Sequence, residues 1–273
     1  MAIRYGLNGA TTMPLEQATE IRAAGAAGFD LIEFRAPKLE KFFAESSFDD
    51  LKSLFTGARL RPLSINALEQ VNTRPRGAAR ALEAEARKLV AWAEALACPY
   101  VVAVAGFRDK PEPEAEEVAQ SVDALALVAE VAAARGVRVG FEFLGFENCS
   151  VNSLRLARKI LHRLDRADVG LVLDTFHFFL SGEPLDLLAD ARPGEFVVLH
   201  VNDAEAAPRA QLADAHRVLP GLGVIPLRAM WAALQRSARP DHASLELFRP
   251  DYWARPPAEF LPEALASLRR LFP

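Results

Sequence analysis

LVLDTFHFFL, residues 171–180, is almost wholly apolar, yet it carries Asp174 and His177 three positions apart. A run of this kind belongs in a core, where a lone carboxylate costs several kcal/mol or gives up its charge. Asp174 therefore needs a partner. Joined to the two residues before it, the stretch opens with VGLVLD (169–174), which reads as a buried parallel strand; the rest reads as the turn that follows.

Seven more segments share that character: IRYGLN (3–8), FDLIEFR (29–35), LRPLSINAL (60–68), YVVAVAG (100–106), VRVGFEFL (137–144), FVVLHVND (196–203) and ASLELF (243–248). Helix-like segments alternate with them, at 14–28, 48–58, 78–97, 113–136, 153–164, 183–191, 226–238 and 257–272, with apolar residues at i, i+3, i+4 and i+7. Gly28, Gly57 and Gly136 stand where left-handed helix caps are expected. Eight such repeats with right-handed crossovers close into an α/β fold, a (β/α)8 TIM barrel. The 273 residues suit a barrel of roughly 250 residues. A doubly wound sheet would carry a glycine fingerprint in its first turn, but that turn is NGATTMP. With no linker or compositional break, residues 1–273 read as a single domain.

The composition, 51% hydrophobic and 25% charged, fits a folded protein with a large core. A net charge of −4 without a basic block speaks against nucleic acid and anionic membranes as partners. Arg4 interrupts the first apolar stretch, and no apolar run approaches the ~20 residues a membrane span needs. A cytoplasmic location is expected. Cys98 and Cys149 form no CxxC pair and read as buried thiols of a reducing compartment.

In a barrel the C-terminal strand ends open onto the active-site face. Those ends are Asn8, Glu33, Asn66, Val104, Glu142, Asp174, His200 and Glu246. Each of the last four is a single polar residue closing an apolar run. One carboxylate at a strand end could cap a helix, and one histidine could be a satisfied core residue. Four on successive strands would converge and repel unless a cation lay among them. One divalent metal ion is therefore expected on Glu142, Asp174, His200 and Glu246. Oxygen-rich ligation without thiolate favours Mn2+, Mg2+ or Co2+ and admits Zn2+. Such an ion would activate a hydroxy-ketone, and Glu142 and Glu246, from strands three apart, would move a proton between adjacent carbons through an enediolate.

FEFLGFENCSVNS, LDTFHF, HVND, HRVLPGLGVIPL and LELFRPDYW together resemble the xylose-isomerase-like barrels of the sugar isomerase/epimerase superfamily, above all its 2-keto-myo-inositol (inosose) isomerases. The resemblance implies that Glu142, Asp174, His200 and Glu246 bind one metal and that the two glutamates flank the substrate. It also implies a second-sphere or substrate-binding role for His177 and a substrate contact for Arg217. Leu222, within PGLG, departs from the polar or acidic residue many relatives carry there.

The other polar residues have ordinary readings beside functional ones. His177 orients Asp174, meets a substrate hydroxyl, or packs in the core. Arg217 contacts substrate or forms a salt bridge. Glu33 and Asn66 line the pocket, unless Glu33 pairs with Arg35 or Arg4. Asp203 is a second-sphere residue or simply a cap, His162, His216 and His242 are bland, and Phe107, Phe176, Phe178 and Phe179 exclude water from the pocket or simply pack in the core. Gly221 and Gly223 either offer N–H groups to a phosphate or simply turn the chain. The expected partner is a small sugar or cyclic polyol ketone, with a homo-oligomer left open. Rival readings are a ketose 3-epimerase, an inosose dehydratase, a non-catalytic sugar binder and a DNA-repair endonuclease. The last would need histidines after strands three and four, which end SINALEQ and VVAVAG.

Overall fold

The computed structural model describes residues 3–75, 77–192, 194–237 and 240–272. Eight parallel strands form a closed barrel: β1 (Arg4–Asn8), β2 (Leu31–Arg35), β3 (Arg61–Leu68), β4 (Tyr100–Val104), β5 (Arg138–Glu142), β6 (Val169–Asp174), β7 (Phe196–Val201) and β8 (His242–Leu245). β8 pairs with both β7 and β1, which completes the ring. The expected (β/α)8 architecture is the one observed.

Alternation along the strands makes the layers. Val102, Val104, Val172 and Val198 with Ala67 form a small apolar cluster separate from the main core. Two residues beyond Val172 and Val198 stand Asp174 and His200, which are register partners as their valines are. A polar layer therefore caps an apolar one. Gly140 makes room for it, since a Cβ there would lie 2.9 Å from Val172 Cγ2.

The outer layer comprises α1 (Gln17–Ala27), α2 (Ala36–Phe43), α3 (Phe48–Ser53), α4 (Ala79–Leu96), α5 (Glu114–Ala133), α6 (Leu154–Leu164), α7 (Thr175–Ser181), α8 (Asp186–Ala189), α9 (Leu227–Arg236), α10 (Pro250–Trp253) and α11 (Pro257–Leu271). Ala238, inside the segment expected to be helical at 226–238, lies outside the described residues. Gly28 caps α1 with φ 89°. Gly57 and Gly136 also have positive φ, but α3 and α5 have already ended at Ser53 and Ala133.

One correction concerns the stretch around Asp174. Residues 175–181 are not merely a turn: they form α7, capped by Asp174, whose Oδ1 accepts from Phe176 N at 2.7 Å and His177 N at 3.0 Å. The helix shows no amphipathic pattern because Thr175, Phe176, His177 and Phe178 are all buried.

Candidate metal centre

Glu142 and Asp174 end β5 and β6, His200 is the penultimate residue of β7, and Glu246 follows β8. One ligand-type atom from each lies within 4.8 Å of the others, and all four residues are buried. The quartet expected from the strand ends is thus brought to one point.

His200 organises it. Nδ1 lies 2.9 Å from Glu142 Oε1 and 3.4 Å from Glu246 Oε2, while Nε2 faces Glu33 Oε2 at 3.1 Å. Burial alone would lower the imidazole pKa, but Glu246, Glu33 and Glu142 outweigh it and hold the value well above the usual range. Glu33 differs from its expected place. It pairs with neither Arg35 nor Arg4 but reaches across the barrel to His200, and its Oε2 also accepts from Ser64 Oγ at 2.7 Å. Burial works against the Glu33 charge, yet His200 prevails and the carboxyl falls to about 2.

Arg217 is almost fully buried and forms the second positive pole. Nη1 donates to Asp174 Oδ2 at 2.7 Å and to Glu246 Oε2 at 3.2 Å; Nε and Nη2 donate to Asp214 Oδ1 at 3.0 and 2.8 Å. The guanidinium lies between the rings of Phe176 and Phe248, at 4.8 and 5.2 Å from their centroids. Nη2 is also 3.0 Å from His177 Nε2. A guanidinium only donates, so His177 Nε2 must accept and the ring proton sits on Nδ1. Burial lowers the His177 pKa, in keeping with a neutral ring, and Nδ1 has no partner among the described residues.

Four buried carboxylates, Glu33, Glu142, Asp174 and Glu246, face two cationic groups, Arg217 and His200. The surplus shows at Glu246, where burial together with Glu142 and Asp174 lifts the carboxyl to about 8 despite His200 and Arg217. At Asp174, Arg217 overcomes the burial cost and holds the pKa well below the ordinary value. Excess negative charge and converging oxygen and nitrogen donors fit a divalent cation.

Asn202, not singled out in the sequence, joins the cluster, and Asp203 has a larger part than a cap. Asn202 Nδ2 donates to Asp174 Oδ2 at 3.0 Å and to the Glu246 carbonyl at 3.2 Å. Asp203 does more than cap: it accepts from the backbone N–H groups of Ala204, Gly221, Gly223 and Ile225 at 2.8–3.0 Å. It thereby ties down the loop after the short antiparallel ladder of Asp203–Ala204 with Arg217–Val218, which delivers Arg217 to the site. The Gly221 and Gly223 N–H groups are spent on this carboxylate. A clue was available in HVND, where two polar residues directly follow an apolar strand.

A cavity of about 180 Å³ adjoins the cluster. Glu142, Glu246, His177, Arg217 and Asn66 line it, with Arg35, Glu69 and Asp214, and Val104, Phe107, Leu144, Phe146 and Phe248 supply its apolar wall. Of the four phenylalanines expected to exclude water, Phe107 lines the mouth and Phe176 backs Arg217; Phe178 packs in the core and Phe179 lies beneath Arg209. His216 and His242 bond locally, to Ala213 N and Asp241, and take no part in the cluster. Cys98 and Cys149 are buried and free.

A closed parallel barrel that gathers three carboxylates and an imidazole at the C-terminal ends of its strands is the framework of a metal-dependent enzyme. The chain belongs to the xylose isomerase-like TIM barrel family, which matches it over residues 21–271. It is 35% identical to the inosose isomerase of Halalkalibacterium halodurans over 227 residues, 83% of this chain and 80% of that protein. To the inosose isomerase of Bacillus velezensis it is 34% identical, over 83% of this chain and 81% of the relative. The crystal structure of the IolI protein with a bound zinc atom superposes with a TM-score of 0.95 at 31% identity, covering 99% of this chain and 98% of that one. Among the described residues no helix is long and apolar enough to cross a membrane.

Proposed function

We propose that the protein is a divalent-metal-dependent isomerase of inosose (2-keto-myo-inositol), acting as one barrel domain over residues 1–273 in the cytoplasm. The observation that carries the reading is the placement of Glu142 and Glu246 in one buried cluster, both facing His200 Nδ1 and both open to the cavity.

Glu142, Asp174, His200 and Glu246 would hold the ion. When bound, it polarises the substrate carbonyl and offsets the negative charge that develops as the neighbouring C–H loses its proton. Glu142 and Glu246 carry that proton from one carbon to the next. His177 presents Nδ1–H to a substrate hydroxyl, its tautomer fixed by Arg217 on the other ring nitrogen. Arg217 lies along the same wall and donates to Glu246 Oε2. Glu33 stands behind His200 and orients it, as carboxylates do for metal-bound imidazoles.

The test is proton exchange into 2-keto-myo-inositol in D2O, with and without chelator, for wild type and Glu246→Gln. Deuterium should enter only with metal present, and the substitution should slow it by about a hundredfold or more. Exchange that survives both chelation and substitution would refute the mechanism. Loss of water or inversion at a single carbon in the products would instead identify a dehydratase or an epimerase.

A further inference from the structure

The cavity wall built from Arg35, Asn66 and Glu69 is occupied neither by the metal ligands nor by the proton-moving pair. In a ring of eight strands β2 and β3 stand opposite β6 and β7, so this wall confronts Asp174 and His200 across the barrel mouth. Asn66 is almost fully buried, and its Oδ1 accepts from Arg35 Nη1 at 2.8 Å. That bond fixes the amide, leaving Nδ2 buried with no partner among the described residues. Arg35 Nε is unpartnered in the same way. Buried donors in this state call for an acceptor that arrives with a ligand.

Arg35 is held with care. Its guanidinium lies 5.7 Å from the centroid of Phe248, the ring whose centroid is 5.2 Å from the Arg217 guanidinium. Glu69 Oε1 meets Nη2 at 3.4 Å and opposes its charge. Gly9 lets the side chain pass, because a Cβ there would stand 3.0 Å from Arg35 Cγ.

We infer that Arg35, Asn66 and Glu69 form a specificity arm that reads the substrate hydroxyls on the ring edge away from the reacting carbons, and that it selects an uncharged cyclic polyol. Asn66 Nδ2 donates to a hydroxyl oxygen, Arg35 fixes the amide and donates through Nε, and Glu69 accepts a hydroxyl proton. The Phe248 and Phe146 rings pack on the C–H groups between them. A phosphorylated sugar is disfavoured twice over: Arg35 is opposed by Glu69, and Asp203 already fills the amide cradle of Gly221 and Gly223. The inference rests on the isomerase reading for the orientation of the reacting carbons.

The experiment has two arms, both on zinc-loaded protein. The first measures binding of myo-inositol and of myo-inositol 1-phosphate by calorimetry to wild type, Arg35→Met and Asn66→Ala. The second measures steady-state kinetics on 2-keto-myo-inositol and on its analogue deoxygenated opposite the carbonyl. Either substitution should weaken myo-inositol binding and raise KM by about tenfold to a hundredfold, with kcat changed less than about threefold and zinc affinity unmoved. The deoxy analogue should lose a similar factor on wild type and little more on the variants. Unchanged myo-inositol binding in both variants, a fall in kcat alone, or tighter binding of the phosphate than of the neutral polyol would overturn the arm. If wild type binds myo-inositol in an Arg35-dependent way yet does not turn over the ketone, the isomerase reading fails and the arm stands.

Discussion

Replacing Glu33 by glutamine tests whether the metal centre is supported from behind. Glu33 Oε2 lies 3.1 Å from His200 Nε2, both side chains are fully buried, and solvent screening between them is slight. A glutamine oxygen in the same place still accepts from His200 and from Ser64 Oγ, 2.7 Å away in the wild type, so packing is kept and only the charge is lost. Carboxylates in this position raise the basicity of a ligating imidazole, and losing one typically costs about 10- to 100-fold in metal affinity, or ~1.4 to ~2.7 kcal/mol. Competition against a chelating fluorophore at neutral pH should show that weakening for Glu33→Gln. A dissociation constant within about twofold of wild type would refute the argument. The metal-free protein offers a second readout. A carboxyl depressed to about 2 in the fold stabilises it above the ordinary unfolded value of ~4.3, and that contribution disappears as pH falls through the folded value. The variant should therefore be less stable than wild type near neutrality, with the gap closing between about pH 4 and about pH 2 in urea titrations.

Asp203→Ala leaves four backbone N–H groups without their acceptor, two of them, Ala204 and Ile225, on buried residues. The expected cost is about 1–3 kcal/mol, read as a fall of a few degrees in Tm, with KM raised because the ladder carrying Arg217 loosens. An unchanged Tm and KM would remove Asp203 from that role. Cys149, its thiol pushed up to about 11 by burial, should be about one part in a thousand thiolate at pH 8. Iodoacetamide should label it far more slowly than in urea-unfolded protein, and the native rate should climb about tenfold per pH unit toward 11; equal native and unfolded rates at pH 8 would contradict its burial.

The metal quartet was legible because each of the last four strands carries the same pattern: an apolar run, then one polar residue at the open end. Glu142, Asp174, His200 and Glu246 each end such a run, and the backbone direction of a parallel barrel does the rest. Partnerships were not legible in the same way. Glu33 meets a histidine 167 residues away, a pairing that depends on strands facing one another across a closed ring. Nor could α7 be seen, because its first four residues are all buried and Phe179 and Leu180, which are partly exposed, are apolar, so no polar face gives it a period. Arg217 carried too little local pattern to show that Asp174, Glu246, Asp214 and His177 would all converge on it.

Asp174 is clamped at both ends: Phe176 N and His177 N hold Oδ1, and Asn202 Nδ2 and Arg217 Nη1 hold Oδ2. A carboxylate gripped by four donors has almost no angular freedom, whereas Glu142 and Glu246 ride on longer side chains. The centre is thus a rigid jaw opposed by two pliant ones. Cations that insist on a fixed octahedron and those that tolerate a distorted shell should separate by how far the glutamates can swing, not by any movement of Asp174. Shortening Glu142 or Glu246 by one methylene, to aspartate, is accordingly the change that would shift the preferred ionic radius while leaving the anchor where it is.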